Sequence, residues 1–334
     1  MSELVFPLAA VGVTLFVLVP ALIWVSRLAL AWRRQRVTSW VDFGTETTFA
    51  WLLFPTLLPL VWLTSSALHQ TEPEQFTEAC RIVHVEATTC HDALVLLGFL
   101  LVGLLGVVLV RAWRERPRRC ERVEETHPTA RRVAAIVRQD PRLQGLSVQV
   151  ARNALAPVYT VGWFSSQVIL GACIARDADD EMIRATLLHE FAHITSKDTF
   201  RSFLVRVSLV INPAGRLLAP DFERWRHARE ALCDSEAVEL GGDPLALAES
   251  IVHAARIRGC CSLSFASQLC GHDLSVIKLR IALLLHGHSR PTRTVGHLAL
   301  LAIGIVALLV PHLQSFGALD HFHYEVERLL HSRP

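Results

Sequence analysis

Four apolar stretches, at about residues 4–25, 49–68, 93–110 and 294–313, constrain this chain more than any other feature. Each is long enough to cross the hydrocarbon layer of a bilayer as a helix, which takes about 20 residues. Pro20, Pro55 and Pro59 lie within the first two. Membrane helices tolerate proline, usually with a kink. The other reading of the first stretch is a cleaved signal peptide. Against it, Glu3 is the only charge near the start, no basic segment precedes the apolar run, and the run is long. Composition agrees with a chain that is part membrane and part water-soluble: 51% hydrophobic residues, 19% charged, mean hydropathy +0.36. A net charge of +2 is too small to suggest nucleic acid as a direct partner.

Orientation follows from the arginines, because cytoplasmic loops retain Lys and Arg. Arg27, Arg33, Arg34 and Arg36 follow the first stretch, and Arg111, Arg114, Arg116, Arg118 and Arg119 follow the third. Arg280, Arg290 and Arg293 precede the fourth. Between the second and third stand Glu72, Glu74, Glu78, Glu86 and Asp92 against a single Arg81. One topology satisfies every loop. It has the N-terminus outside, residues 26–48 inside, 69–92 outside, 111–293 inside and a tail from about 314 outside. The expected organisation is therefore a three-span region (1–110), a cytoplasmic domain (111–293), a fourth span (294–313) and a short tail (314–334).

Cys80 and Cys90 fall in the outside loop, where oxidation is permitted, and form a candidate disulfide. Cys120, Cys173, Cys233, Cys260, Cys261 and Cys270 fall inside and should stay reduced. None of the six belongs to a Cys-x-x-Cys pair, which argues against a cysteine-rich zinc site.

Residues 111–293 have the size and mixed character of one α+β domain. The spacing predicts an amphipathic helix over 131–139, then strand-like alternation at 146–151 and 158–175, broken by Gly162 and Gly171. Helices follow at 179–196, 199–211, 222–240, 244–258 and 274–285. The segment 259–271 has no clear period and reads as a loop.

The helix over 179–196 contains His189-Glu190-Phe191-Ala192-His193. Two histidines four apart lie on one face of a helix, so both imidazoles can reach one zinc ion. The neighbouring Glu190 can serve as general base toward a water at the ion's open position. A catalytic zinc site needs a third protein ligand, and Glu230 of Glu230-Ala231-Leu232-Cys233-Asp234 can supply it. Asp234, one turn further, can accept from a ligand imidazole and fix its tautomer. Taken alone, such a pair of acids is an ordinary solvated face; beside an upstream H-E-x-x-H it points to a site.

With these residues the chain resembles the BlaR/MecR-type membrane metallopeptidases, the peptidase portion of antibiotic-sensing receptors and their relatives. The resemblance runs over nearly the whole chain. It is carried by His189 to Ile194 with Asp198, by Asn212-Pro213, by Arg229 to Asp234, by 245–255 and by Lys278-Leu279-Arg280-Ile281. It implies a bacterial cytoplasmic-membrane gluzincin with one zinc ion, four spans and a cytoplasmic zincin-like domain between the third and fourth. It also implies signalling by cleavage of a cytoplasmic protein, which in the antibiotic receptors is a small DNA-binding repressor. Those receptors carry a large extracellular penicillin-binding sensor after the fourth span. Here about 20 residues follow that span, so direct β-lactam acylation is not expected. Two rival readings are a quality-control or processing protease of the HtpX or CAAX type, and a non-catalytic transducer. The intact Glu190 weighs against the second.

Weaker signals remain double-sided. The alternating segment 158–171 resembles the edge strand on which zincins hold extended substrates, or is a plain structural strand. His227, three residues before Glu230, could stabilise an oxyanion or sit at the surface. Ser264-Phe265 in the 259–271 loop is a candidate self-cleavage site. His69, His84 and His91 outside, with His312, His321, His323 and His331 in or near the tail, could bind metal or sense pH, or be scattered loop residues.

Overall fold

The computed structural model describes residues 14–37, 39–69, 103, 106, 121–152, 154, 156–162, 166–258 and 274–286. These are mainly helical, with one small sheet. A π-helical turn, Thr14–Leu18, leads into α1 (Val19–Arg36). Val19, Ile23, Ser26 and Leu30, spaced to form one stripe, are buried, while Trp24, Leu28 and Trp32 face outward. Among the described residues, Phe16–Arg36 is the one helix long and apolar enough to cross a membrane. The second apolar stretch forms α2 (Glu46–His69), with Pro55 and Pro59 inside it. The stretches at 93–110, apart from Gly103 and Gly106, and at 294–313 lie outside the described residues. So do Cys80, Cys90, Ser264 and Phe265.

The arginines expected in a loop after the first span belong instead to α1 itself. Arginine is a good helix former, and a cation in the last turn complements the helix dipole. Arg36 lies 4.1 Å from the centroid of the Trp32 ring. Arg33 reaches into the connection to α2, donating to the Asp42 carbonyl at 2.9 Å, to Thr45 Oγ1 at 2.7 Å and to Thr48 Oγ1 at 3.1 Å.

The remaining elements are α3 (Pro128–Gln139), β1 (Ser147–Ala151), β2 (Val158–Val161), β3 (Gln167–Gly171), α4 (Ala172–Asp177), α5 (Asp180–Thr195), α6 (Asp198–Ile211), α7 (Ala219–Glu239), α8 (Pro244–Arg258) and α9 (Leu274–His286). The strand-like run expected over 158–175 is three elements. Gly162, at φ +95°, turns the chain so that β2 and β3 pair antiparallel, with Val158 opposite Leu170. Residues 172–175 then coil into α4, where Ile174 and Ala175 still point inward. Four apolar residues cannot distinguish helix from strand by period. The sheet order is β1-β3-β2, with β1 and β3 parallel, so β2 is an edge.

Two large apolar cores result among the described residues, with a small third cluster of Ala151, Ala156, Tyr159 and Ile169. The first joins Val168 and Leu170 of β3, Val133 and Ile136 of α3, Ile183 and Leu187 of α5 and Leu247 and Ile251 of α8. The second joins Ile23 and Leu30 of α1, Leu52 and Leu53 of α2, Val205 of α6 and Phe222, Trp225 and Ala228 of α7. Helix α7 belongs to both, because its Ala237 lies in the first. Glu230 and Asp234 sit between the two anchored ends. A 3-10 turn, Trp40–Gly44, packs so closely on α7 that a Cβ on Gly44 would lie 2.8 Å from the Ala228 carbonyl carbon and from Leu232 Cδ1. The chain between the first two apolar stretches thus rests on the helix that carries Glu230.

Candidate metal centre

The local sequence explains why α5 is rigid where the histidines stand. Asp179 caps it by accepting the Met182 N–H at 2.7 Å, and Asp180 and Glu181 occupy the first turn, where acidic groups suit the helix dipole. Ile183, Leu187 and Leu188 fasten the helix to the first core. His189, Glu190 and His193 are consequently buried, at 0%, 1% and 3% exposure. After α5 ends, Lys197 adopts a left-handed conformation (φ 55°), and the chain turns so that Asp198, first residue of α6, meets His193. From the facing helix α7 comes Glu230.

Three potential ligand residues converge. His189 Nε2 and His193 Nε2 are 3.1 Å apart; Glu230 Oε2 is 3.6 Å from the first and Glu230 Oε1 3.7 Å from the second. Behind each imidazole stands a carboxylate, and behind each carboxylate a guanidinium. His189 Nδ1 lies 2.9 Å from Asp234 Oδ1, not aligned as a full hydrogen bond. Asp234 accepts from Arg280 Nε and Nη2, both at 2.7 Å. Arg280, fully buried on α9, also lies 3.1 Å from Glu230 Oε2 through Nη1. On the other side, His193 Nδ1 lies 2.9 Å from Asp198 Oδ2, and Asp198 accepts from Arg229 Nε at 3.0 Å and Nη2 at 3.0 Å. Cys233 Sγ is 3.4 Å from His193 Nδ1. Glu190 Oε2 accepts the Thr160 hydroxyl of β2 at 2.6 Å.

A proton on each Nδ1, facing its carboxylate, would leave both Nε2 atoms free to offer lone pairs to one ion. Glu230, Asp198 and Asp234 are buried against Arg229 and Arg280, and Arg201 lies 3.9 Å from Asp198. Burial acts to lower both imidazole pKa values, but the Asp234 and Glu230 carboxylates raise that of His189. The Cys233, Glu230 and Asp198 groups raise that of His193 well above the ordinary value. Burial acts to raise the carboxyls, yet His193 and Arg280 hold Glu230 well below its ordinary range, and Arg229 with His193 holds Asp198 down to about 2. Arg280 and His189 lower Asp234 against the same burial.

The donor set fits zinc. Bonds of about 2.0–2.1 Å in a tetrahedron place ligand atoms about 3.3 Å apart, close to the three separations above. A second cluster, His193 Nδ1, Asp198 and Cys233, also has the spacing of a metal site. It suits an ion less well: the Arg229 guanidinium already donates to Asp198, and burial pushes the Cys233 thiol up to about 11. No family model and no curated protein matches the chain.

The sequence-predicted residues His189, His193, Glu230 and Asp234 meet in one place, and Glu190 lies on the same helix against β2. His227 is half-buried one turn before Glu230 and is not one of the three converging donors. Sequence reasoning gave no site role to Asp198, Arg229, Arg280 or Thr160. Arg280 among Val276, Ile277, Leu279 and Ile281, with Lys278 the other charge of the run, was the available signal, because an arginine buried there needs carboxylate partners.

Proposed function

We propose that this chain is a zinc endopeptidase of the BlaR/MecR type, held in a bacterial cytoplasmic membrane by four spans with its active site on the cytoplasmic side. Its substrate in this reading is a cytoplasmic protein, such as a small DNA-binding repressor, cut as a step in signal transduction. The observation that carries the zinc reading is the buried convergence of His189 Nε2, His193 Nε2 and the Glu230 carboxylate. The membrane reading rests on the four apolar stretches, the arginine pattern and the outward Trp24, Leu28 and Trp32 of α1.

His189, His193 and Glu230 would hold the ion. Bound there, zinc lowers the pKa of a water and polarises a peptide carbonyl. Asp234 and Asp198 keep both imidazoles in the tautomer that offers Nε2. Glu190, with one oxygen committed to Thr160, has the other for taking the proton of the attacking water and passing it to the leaving amine. Because Thr160 belongs to edge strand β2, an extended peptide paired on that edge would run beside Glu190.

The test is a Glu190→Ala variant purified in detergent, with metal content and cleavage of a fluorescence-quenched peptide library measured on the same sample. The reading expects about one zinc per chain in both proteins and a fall in cleavage of at least about 100-fold in the variant. Unchanged cleavage, or no metal in the parent, contradicts it.

A further inference from the structure

Helix α6 carries Asp198 at one end, and a single stripe of it touches α2 along the rest. Asp198, Arg201, Val205, Ser208 and Asn212 recur at helical spacing across α6 and its C-cap, and all but Arg201 are buried. Arg201 Nη1 is 2.7 Å from Glu46 Oε1, at the first residue of α2. Two to three turns on, Asn212 Nδ2 donates to Thr56 Oγ1 at 2.8 Å, Thr56 Oγ1 is 2.5 Å from Ser208 Oγ, and Ser208 Oγ donates to the Leu52 carbonyl at 3.3 Å. Since the one hydroxyl proton of Ser208 goes to Leu52, Thr56 must be the donor to Ser208. The result is a directed chain, Asn212 to Thr56 to Ser208 to Leu52, in which both hydroxyl protons are used. It lies in an apolar interface, where unpaired hydroxyls are costly. It also sits where Pro55 and Pro59 have removed two of α2's own backbone donors.

We propose that Thr56 is a positioning residue for the metal site, acting through α6. A helix transmits displacement as a rigid rod, and Asp198 lies about 15 Å from Ser208 along the axis. The Thr56 network and the Glu46–Arg201 pair fix the rod, and Asp198 at its end fixes the ring of His193. The same path carries control inward: a shift of α2, the second apolar stretch, moves Asp198 away from His193 and weakens the site.

The inference rests on the zinc reading. It is tested by zinc titration of the full-length, metal-stripped protein carrying Thr56→Val, Thr56→Ser or Thr48→Val. Thr48 lies on the same helix but accepts from Arg33 of α1, so its variant controls for general loosening of α2. Thr56→Val should weaken zinc binding about tenfold, the low end for residues that orient a metal ligand. Thr56→Ser should restore the parent value, and Thr48→Val should leave it unchanged. If Thr56→Val does not fold, Ser208→Ala breaks the same chain and should give the same weakening. Parent-like affinity in the variant that breaks the chain overturns the proposal, as does an equal loss in Thr48→Val. A parent protein that binds no zinc overturns the zinc reading itself, and with it the proposal.

Discussion

The two imidazoles are supported in the same order, carboxylate then guanidinium, but from different parts of the chain. Behind His189 the support is Asp234 on α7 and Arg280 on α9, and Arg280 also touches Glu230. Behind His193 it is Asp198, five residues along the chain, and Arg229, with the Cys233 thiol alongside. The His189 side is therefore tied twice to the ligand set, once through Asp234 and once directly. The His193 side is tied once, and its helix leans on α2 through Arg201 and Ser208. One half of the site is anchored in the domain that holds it, and the other half answers to the apolar helices.

Acidification attacks both halves together and should have the largest effect. Protons compete with zinc for the Nε2 lone pairs, and both imidazole pKa values are raised. Affinity is thus full above the raised values and falls as pH drops through them, beginning above the ordinary 6.5. Each displaced proton contributes up to about tenfold per pH unit, so two contribute up to about 100-fold. Folding of the metal-free protein responds with the opposite sign. A raised pKa adds stability that is complete below the ordinary value and is lost as pH rises through the folded one. Zinc titrations and denaturant melts of the stripped protein between pH 5 and 8, as a working range of about three units, check both signs.

Arg280→Met separates the halves. It takes away the partner that orients Asp234 and Glu230 at once, so zinc affinity should drop about 100-fold and stability by about 3–5 kcal/mol. Asp198→Asn keeps an acceptor for His193 and leaves Glu230 untouched, so its loss of affinity should be about tenfold. Equal losses in the two variants would erase the asymmetry. The smallest change is expected from Cys233→Ala, within about threefold of the parent, because sulfur is a weak hydrogen-bond partner. A loss as large as that of Asp198→Asn would make the thiol part of the support.

The cluster of His189, His193, Glu230 and Asp234 was legible in the sequence because a helix imposes its own geometry: His189 and His193 four apart must share a face, as must Glu230 and Asp234. The helices beginning at 179 and 244 were equally readable, one from its acidic start and the other from the Gly241-Gly242 stop before Pro244. What the sequence did not disclose are contacts made across the fold. Arg280 meets Asp234 from 46 positions away, and Thr160 reaches Glu190 only because the sheet lays its edge against α5. Asp198 was visible beside the motif, but its turn toward His193 depends on Lys197 taking a left-handed backbone that only tertiary packing selects. The extension of α1 through Arg36 was missed because charge marked an orientation there, while the helix continued regardless.

X-ray absorption at the zinc edge of the purified, detergent-solubilised protein tests the central claim most directly. It should find one zinc per chain surrounded only by nitrogen and oxygen at about 2.0–2.1 Å. A sulfur scatterer at about 2.3 Å would move the ion to the Cys233 cluster, and no stoichiometric metal would remove the centre altogether.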